Sequence, residues 1–110
     1  MMFEAGDVVI LDFPGVEGVK RRPAVVISSD LYHTHRPDVI AGLLTTKIAD
    51  ATAPTDYILQ DWQVAGLRYP SAFRSFLVTL PSTEAVWIGH LSDRDWGNVQ
   101  ACLKRALAVF

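Results

Sequence analysis

Apolar positions along this chain fall into short runs separated by turn residues. Val8 to Phe13 is apolar and β-branched, bounded by Gly6 and by Pro14-Gly15, and predicts a strand. Gly15 to Arg22 predicts a loop with two glycines. Pro23 to Ser29 predicts a second strand, with proline at the first position because it cannot donate to the middle of a ladder. Asp30 to Asp38 holds an aromatic and two histidines, breaks at Pro37 and predicts a loop. Val39 to Thr46 is a third apolar run, and Tyr57 to Leu59 is a short one after the loose segment from Ala49 to Pro54. Ser71 to Leu80 and Ala85 to Gly89 are two more, separated by Pro81-Ser82-Thr83. Short strands at this spacing predict a small barrel or sandwich.

The period changes in the last segment. Ser92 suits a helix N-cap, with Asp95 three residues on as the acid of a capping-box-like pair. Trp96, Val99, Leu103, Leu107 and Phe110 then recur at helical spacing and form one apolar stripe. Lys104 and Arg105 fall near the end, where cations suit the helix dipole. The expected fold is therefore mostly β with one C-terminal helix.

Composition narrows this picture. With 110 residues, half of them apolar and a fifth charged, the chain is expected to be one domain over 1–110. Its formal net charge of -2 gives no global field towards nucleic acid, so any such binding must use a local patch. Lys20-Arg21-Arg22 is the densest one. Cys102 is the only cysteine, which excludes an internal disulfide. The segment from Met1 to Asp7 has acids where a signal peptide needs cations, and no apolar run reaches the length of a membrane span. The expectation is a soluble, cytoplasmic protein that does not enter a membrane.

Three consecutive cations abutting an apolar strand are not required by packing. They place positive charge at the rim of a rigid element, where a phosphate could be gripped. The other reading of Arg22 is a surface ion pair with Asp12 or Glu17. Weaker candidates lie elsewhere. His33 and His35 alternate, which could send both rings to one side, but zinc sites usually need three or four protein ligands and His90 is the only other histidine. No metal site is expected, and loop histidines near RNA or a partner are preferred. Cys102 lies on the borderline face of the helix without a fixed basic neighbour, a poor setting for a nucleophilic thiol. Trp62, Trp87 and Trp96 could stack bases, although a chain this small is expected to place most of them in the core or at a dimer contact. Asp93, Arg94 and Asp95 read as a solvated helix start.

The ordered series of segments resembles the MazF/PemK family of bacterial toxin endoribonucleases. Gly6-Asp7-Val8-Val9-Ile10-Leu11-Asp12-Phe13-Pro14 is similar to the first strand of that family, and Lys20-Arg21-Arg22-Pro23-Ala24-Val25-Val26-Ile27-Ser28 to its Arg-Pro strand. Ala41-Gly42-Leu43-Leu44-Thr45-Thr46 resembles the third strand, which ends in a hydroxyl residue. Trp62-Gln63-Val64-Ala65-Gly66-Leu67-Arg68-Tyr69-Pro70-Ser71 resembles a phrase of the PemK-like branch, and Ile88-Gly89-His90-Leu91-Ser92 resembles the close. The resemblance implies a small SH3-like barrel of the MazF/Kid/CcdB type, usually a symmetric homodimer. It also implies cofactor-free and metal-independent cleavage of single-stranded RNA, leaving 2′,3′-cyclic phosphate and 5′-hydroxyl ends. A cognate antitoxin would occupy the RNA groove.

Carried over residue by residue, the resemblance assigns catalysis first to Arg22, which matches the Arg before Pro. Thr45 matches the hydroxyl residue, and Ser71 with Arg74 fall where the family has a Ser-x-x-Arg-like strand. Lys20, Arg21 and Thr46 are the expected RNA contacts. Three departures stand out: Phe76 where the nuclease toxin Kid has an acid, Thr79 where an Arg is common, and no histidine between Gly15 and Arg21. Two other classes remain open at this stage. One is a non-nucleolytic toxin of the same fold acting on a protein such as gyrase; the other is a catalytically inactive binding module.

Overall fold

Six antiparallel strands and two helices make up the computed structural model, which describes residues 2–15 and 18–109. The strands are β1 (Asp7–Gly15), β2 (Gly18–Val26), β3 (Asp38–Thr45), β4 (Asp56–Ile58), β5 (Ala72–Pro81) and β6 (Val86–His90), in the sheet order β4-β5-β3-β2-β1-β6. Helix α1 (Asp30–His35) follows β2, and α2 (Asp93–Ala106) closes the chain. The expected mostly-β fold with a C-terminal helix is what forms, as a curled half-barrel.

The apolar runs are continuous because both faces of the curl are covered. Val8 and Val9 point to opposite sides of β1, and both are fully buried; Val25 and Val26 do the same on β2. One face packs Val8, Val25, Leu44 and Phe73 against Val99, Cys102 and Leu103 of α2. The other gathers Val9, Leu11, Phe13, Ala24, Val26, Val39 and Ala41. Each large side chain fully withdrawn in this way contributes about 1.5–3 kcal/mol. Trp62 and Trp96 pack on the first cluster, whereas Trp87 stays exposed on β6.

Two expectations about β2 and its sequel are corrected. Lys20, Arg21 and Arg22 lie within β2, paired with Phe13, Asp12 and Leu11 of β1, so the predicted loop is the second arm of a hairpin. Val16 and Glu17 lie outside the described residues. Pro23 accordingly sits mid-strand opposite Ile10; pairing with β3 begins one residue later, at Ala24, so proline falls where that ladder has not started. The segment after β2 is not loop throughout, because Ser29 caps α1 by accepting the Tyr32 amide, and Arg36 ends it in extended conformation before Pro37.

The helix start is also corrected. Ser92 does cap α2, accepting the Asp95 amide at 3.3 Å. Asp95, however, is no solvated acid: it is fully buried, and its carboxylate accepts from the Tyr57 hydroxyl (2.6 Å), the Gln60 amide (3.0 Å) and the Asp61 amide (2.8 Å). Burial, together with the hydrogen bond to Asp95, pushes the Tyr57 hydroxyl up to about 12. Arg94 forks onto Asp61 with two bonds of 2.7 Å, and Ser92 donates to the same carboxylate at 2.6 Å. The segment after β4 is thus stitched to the first residues of α2 by two acids. Cys102 is buried rather than borderline, and burial pushes its thiol up, away from nucleophilic use. Phe110, the last member of the expected stripe, lies outside the described residues.

The Asp61 clasp makes acid stability testable. The hydrogen bond from Arg94 and then that from Ser92 lower the Asp61 carboxyl from its ordinary 3.8 to about 2. A carboxyl depressed on folding contributes stability that is complete above the unfolded value and lost as pH falls through the folded one. Between pH 3.8 and about 2, wild type should therefore lose stability more steeply than Asp61→Asn. Acid titration of urea midpoints for the two proteins measures it, and parallel curves across that window would contradict the assignment.

Candidate active site

The cations of β2 owe their directions to strand alternation. Lys20 and Arg22 share one face, and Arg21 points to the other, where it meets its cross-strand partner Asp12 at 3.5 Å. That exposed pair contributes little to stability. The Asp12 ion pair contemplated for Arg22 therefore belongs to Arg21. Among the described residues the half-buried guanidinium of Arg22 meets no hydrogen-bond or ion-pair partner.

Lys20 and Arg22 open into a cleft of about 360 Å³ bounded by four strands. β3 ends there with Thr45, buried to 7% exposure, whose hydroxyl oxygen accepts the Lys47 amide at 3.1 Å. With its acceptor role used in this way, the hydroxyl keeps its proton for donation. β5 contributes Arg74, whose Nε lies 3.8 Å from Asp56 across the β4–β5 ladder, an acid with a 5% exposed side chain that holds the guanidinium at the cleft wall.

The ladder itself is irregular here. Phe73 pairs with Leu44 and Leu77 with Gly42, so three residues of β5, Arg74 to Phe76, stand opposite Leu43 alone. Such a bulge bends a strand and re-aims its side chains. It presents Arg74 and Phe76 together to the cleft. Phe13 forms the adjoining wall, 2% exposed, with the Phe76 ring set edge-on at 5.4 Å and 66°.

Four of the sequence-derived candidates, Lys20, Arg22, Thr45 and Arg74, are thus brought together. Arg21, Thr46 and Ser71 lie outside this cleft. Ser71 is 1% exposed with its hydroxyl donated to the Tyr69 carbonyl at 2.9 Å, and it lines a separate apolar hollow with Thr46. Sequence reasoning passed over Lys47, Asp50 and the aromatic wall. Asp50 lies in a 3-10 turn, Ile48–Asp50, just after β3 and is the acid lining the cleft among the described residues. Only the direct sequel of Thr45-Thr46 could have hinted at it.

Other titratable groups form local clasps. His33 and His35 sit two apart on the helix α1, so they do not share a face as strand residues would. His33 Nε2 lies 2.5 Å from the Ser28 hydroxyl, and His35 Nδ1 lies 3.0 Å from the Leu31 carbonyl. Glu4, Asp7 and His90 bring ligand atoms within 4.8 Å of one another, the one such group among the described residues. Asp7 already uses one oxygen on His90 Nδ1 (2.8 Å) and the other on the Glu4 amide (2.8 Å), and none of the three lines the cleft.

Fold and cleft define a small half-barrel protein that presents two guanidiniums, two ammoniums and a hydroxyl to one open cleft. Over residues 4–107 the sequence matches the family of PemK-like, MazF-like toxins of type II toxin–antitoxin systems, and the chain belongs to that family. Solved structures agree in fold. An endoribonuclease in complex with its cognate antitoxin from a mycobacterial species superposes with a TM-score of 0.79 at 21% identity, covering 98% of this chain and 97% of that one. MazE-MazF from Deinococcus radiodurans gives 0.75 at 20% identity, covering 100% and 99%. The Mycobacterium tuberculosis toxin MazF-mt6 gives 0.72 at 20%, covering 91% and 94%. No curated protein sequence matches the chain significantly. Among the described residues no helix is long and apolar enough to cross a membrane.

Proposed function

We propose that this toxin is a metal-independent endoribonuclease that cuts single-stranded RNA through attack of the RNA's own 2′-hydroxyl on the adjacent phosphorus. The observation that carries the reading is the convergence of Arg22, Thr45 and Arg74 from three strands on one cleft. The attack needs an acceptor for the 2′-proton, a donor for the departing 5′-oxygen, and positive charge where the phosphoryl oxygens become more negative. Arg22, without a protein partner among the described residues, offers a planar fork to two phosphoryl oxygens. Thr45 donates its free proton to a phosphoryl oxygen. Arg74, anchored by Asp56, adds charge and stands near the leaving group. Lys20 and Lys47 hold the backbone on either side.

Asp50 takes the part of proton acceptor. It supplies, from another element, the carboxylate missing at Phe76. The bond from O2′ to phosphorus forms as the bond to O5′ breaks; the 2′-proton passes to Asp50, O5′ takes a proton from solvent water in the open cleft, and Asp50 returns its proton to solvent. The products are a 2′,3′-cyclic phosphate and a 5′-hydroxyl.

Two further parts of the reading concern partners. An antitoxin is the partner, in keeping with the complex known for a protein of similar fold, and one of its segments competes for the cleft. A homodimer covers the exposed Val86 and Trp87 of the edge strand β6. The test is incubation of end-labelled single-stranded RNA with the purified protein in excess EDTA. Cleavage with cyclic phosphate ends is the expected result. Intact RNA would overturn the reading in favour of a toxin acting on a protein, and cleavage only on adding a divalent cation would overturn its metal independence.

A further inference from the structure

Beyond Arg74 the wall of the cleft does not close. β4 is only three residues long and its pairing with β5 stops at Asp56 opposite Arg74, so the following residues of β5 have no β4 neighbour. A second hollow of about 430 Å³ occupies the place where that neighbour would run, lined by Ala53, Thr55, Asp56, Arg74, Ser75 and Phe76. Arg74 and Phe76 line both spaces and so form their shared wall. The two spaces differ in chemistry. The first carries Lys20, Arg22 and Lys47, whereas the second sets the Phe76 ring beside small side chains and the Arg74–Asp56 pair. Ser75 donates to the Thr55 carbonyl at 2.8 Å, which ties the incoming segment to β5 and keeps the hollow open.

Phe76 is 47% exposed, and its ring keeps a contact with a second, buried ring. Phe13, 2% exposed, supports its ring edge-on from beneath. Core packing alone would bury such a ring, and an exposed ring without support would rotate freely. A held aromatic face beside a phosphate-binding cluster is what a stacked base requires, since every nucleobase presents a π-face whatever its edge.

We infer that Phe76 is the stacking platform for a nucleobase flanking the scissile phosphate, with the hollow beside Ser75 as that base's subsite. The inference rests on the endoribonuclease reading and adds to it the residue that positions the substrate strand. At this position a carboxylate would take part in proton transfer, whereas a ring fixes the strand and leaves proton transfer to the rest of the cleft. Stacking acts on how the flanking nucleotide is held, so Phe76 is a positioning residue rather than a catalytic one.

The experiment compares wild type, Phe76→Leu and Phe76→Trp on a pool of random-sequence single-stranded RNA in EDTA, with thermal melts confirming that all three fold. The sequence that wild type cuts best is then remade with an abasic site at each flanking position in turn. Phe76→Leu should lower kcat/KM about 10- to 100-fold, and Phe76→Trp should keep it near wild type. One abasic position should cost wild type a similar factor but cost Phe76→Leu almost nothing, because two removals of one contact do not add. Equal cleavage by wild type and Phe76→Leu would overturn the inference while leaving the nuclease reading intact. A loss in Phe76→Trp as large as in Phe76→Leu would also overturn it, by showing that shape rather than stacking matters. A wild type that leaves RNA whole would remove the nuclease reading and this inference together.

Discussion

Arg22→Ala should cut RNA roughly 10²- to 10³-fold more slowly than wild type, with its melting temperature little changed. Both halves of that expectation come from the same observation. Arg22 lines the cleft half-buried and, among the described residues, pairs with no acid, so its removal strands no buried carboxylate. On the proposed reading, what is lost is a planar donor fork for the oxygens on which charge develops. Arg22→Lys should recover only part of the rate, since an ammonium supplies a point charge where a fork is needed. Single-turnover cleavage in EDTA, with a thermal melt beside it, measures both. If Arg22→Ala cuts as fast as wild type, the centre of the reaction lies elsewhere.

The largest stability effect is expected at Asp95, far from any chemistry. Asp95→Ala leaves the Tyr57 hydroxyl and the Gln60 and Asp61 amides without the fully buried acceptor they share. A stranded buried donor costs about 1–3 kcal/mol, and breaking a buried charged network about 3–5 kcal/mol. Domains of this size hold only about 5–15 kcal/mol in total, so the alanine variant should be largely unfolded or melt far below wild type. Asp95→Asn keeps the shape but turns an amide towards donors, and should lose a smaller amount in the same direction. Tyr57→Phe removes one donor along with its bond and should cost about 1 kcal/mol. Urea unfolding of the Asn and Phe variants measures the scale; an Asp95→Asn midpoint equal to that of wild type would show that the carboxylate carries no such load.

The apolar runs were legible as strands because β-branched residues and turn signals bound them, and the family resemblance rests on their order. Boundaries were less so. The cations of β2 looked like a loop because glycines precede them, yet once strand alternation is applied it separates Arg21 from Lys20 and Arg22. Asp95 was misread because a capping pattern describes only its own helix, whereas its donors come from residues 57, 60 and 61. The site was half legible for a similar reason. Arg22 and Thr45 fall at positions the strand pattern marks, but the bulge that swings Arg74 and Phe76 into the cleft has no local signature. Nor does local sequence tell that a turn after β3 carries Asp50 into the cleft that Arg22 lines.

Because the cleft draws on β2, β3 and β5, its order of assembly on the ribosome is fixed by the order of synthesis. Lys20 and Arg22 emerge early, but Arg74 joins them only after residues up to about 80 have left the exit tunnel and β5 has paired with β3. β1 waits longer still, since its outer edge is covered by β6 through pairs such as Asp7 with His90. An interrupted translation product that stops before β5 therefore displays cations without a working cleft. Poisonous potential is withheld from fragments and appears late, once β5 and β6 have been added to the sheet.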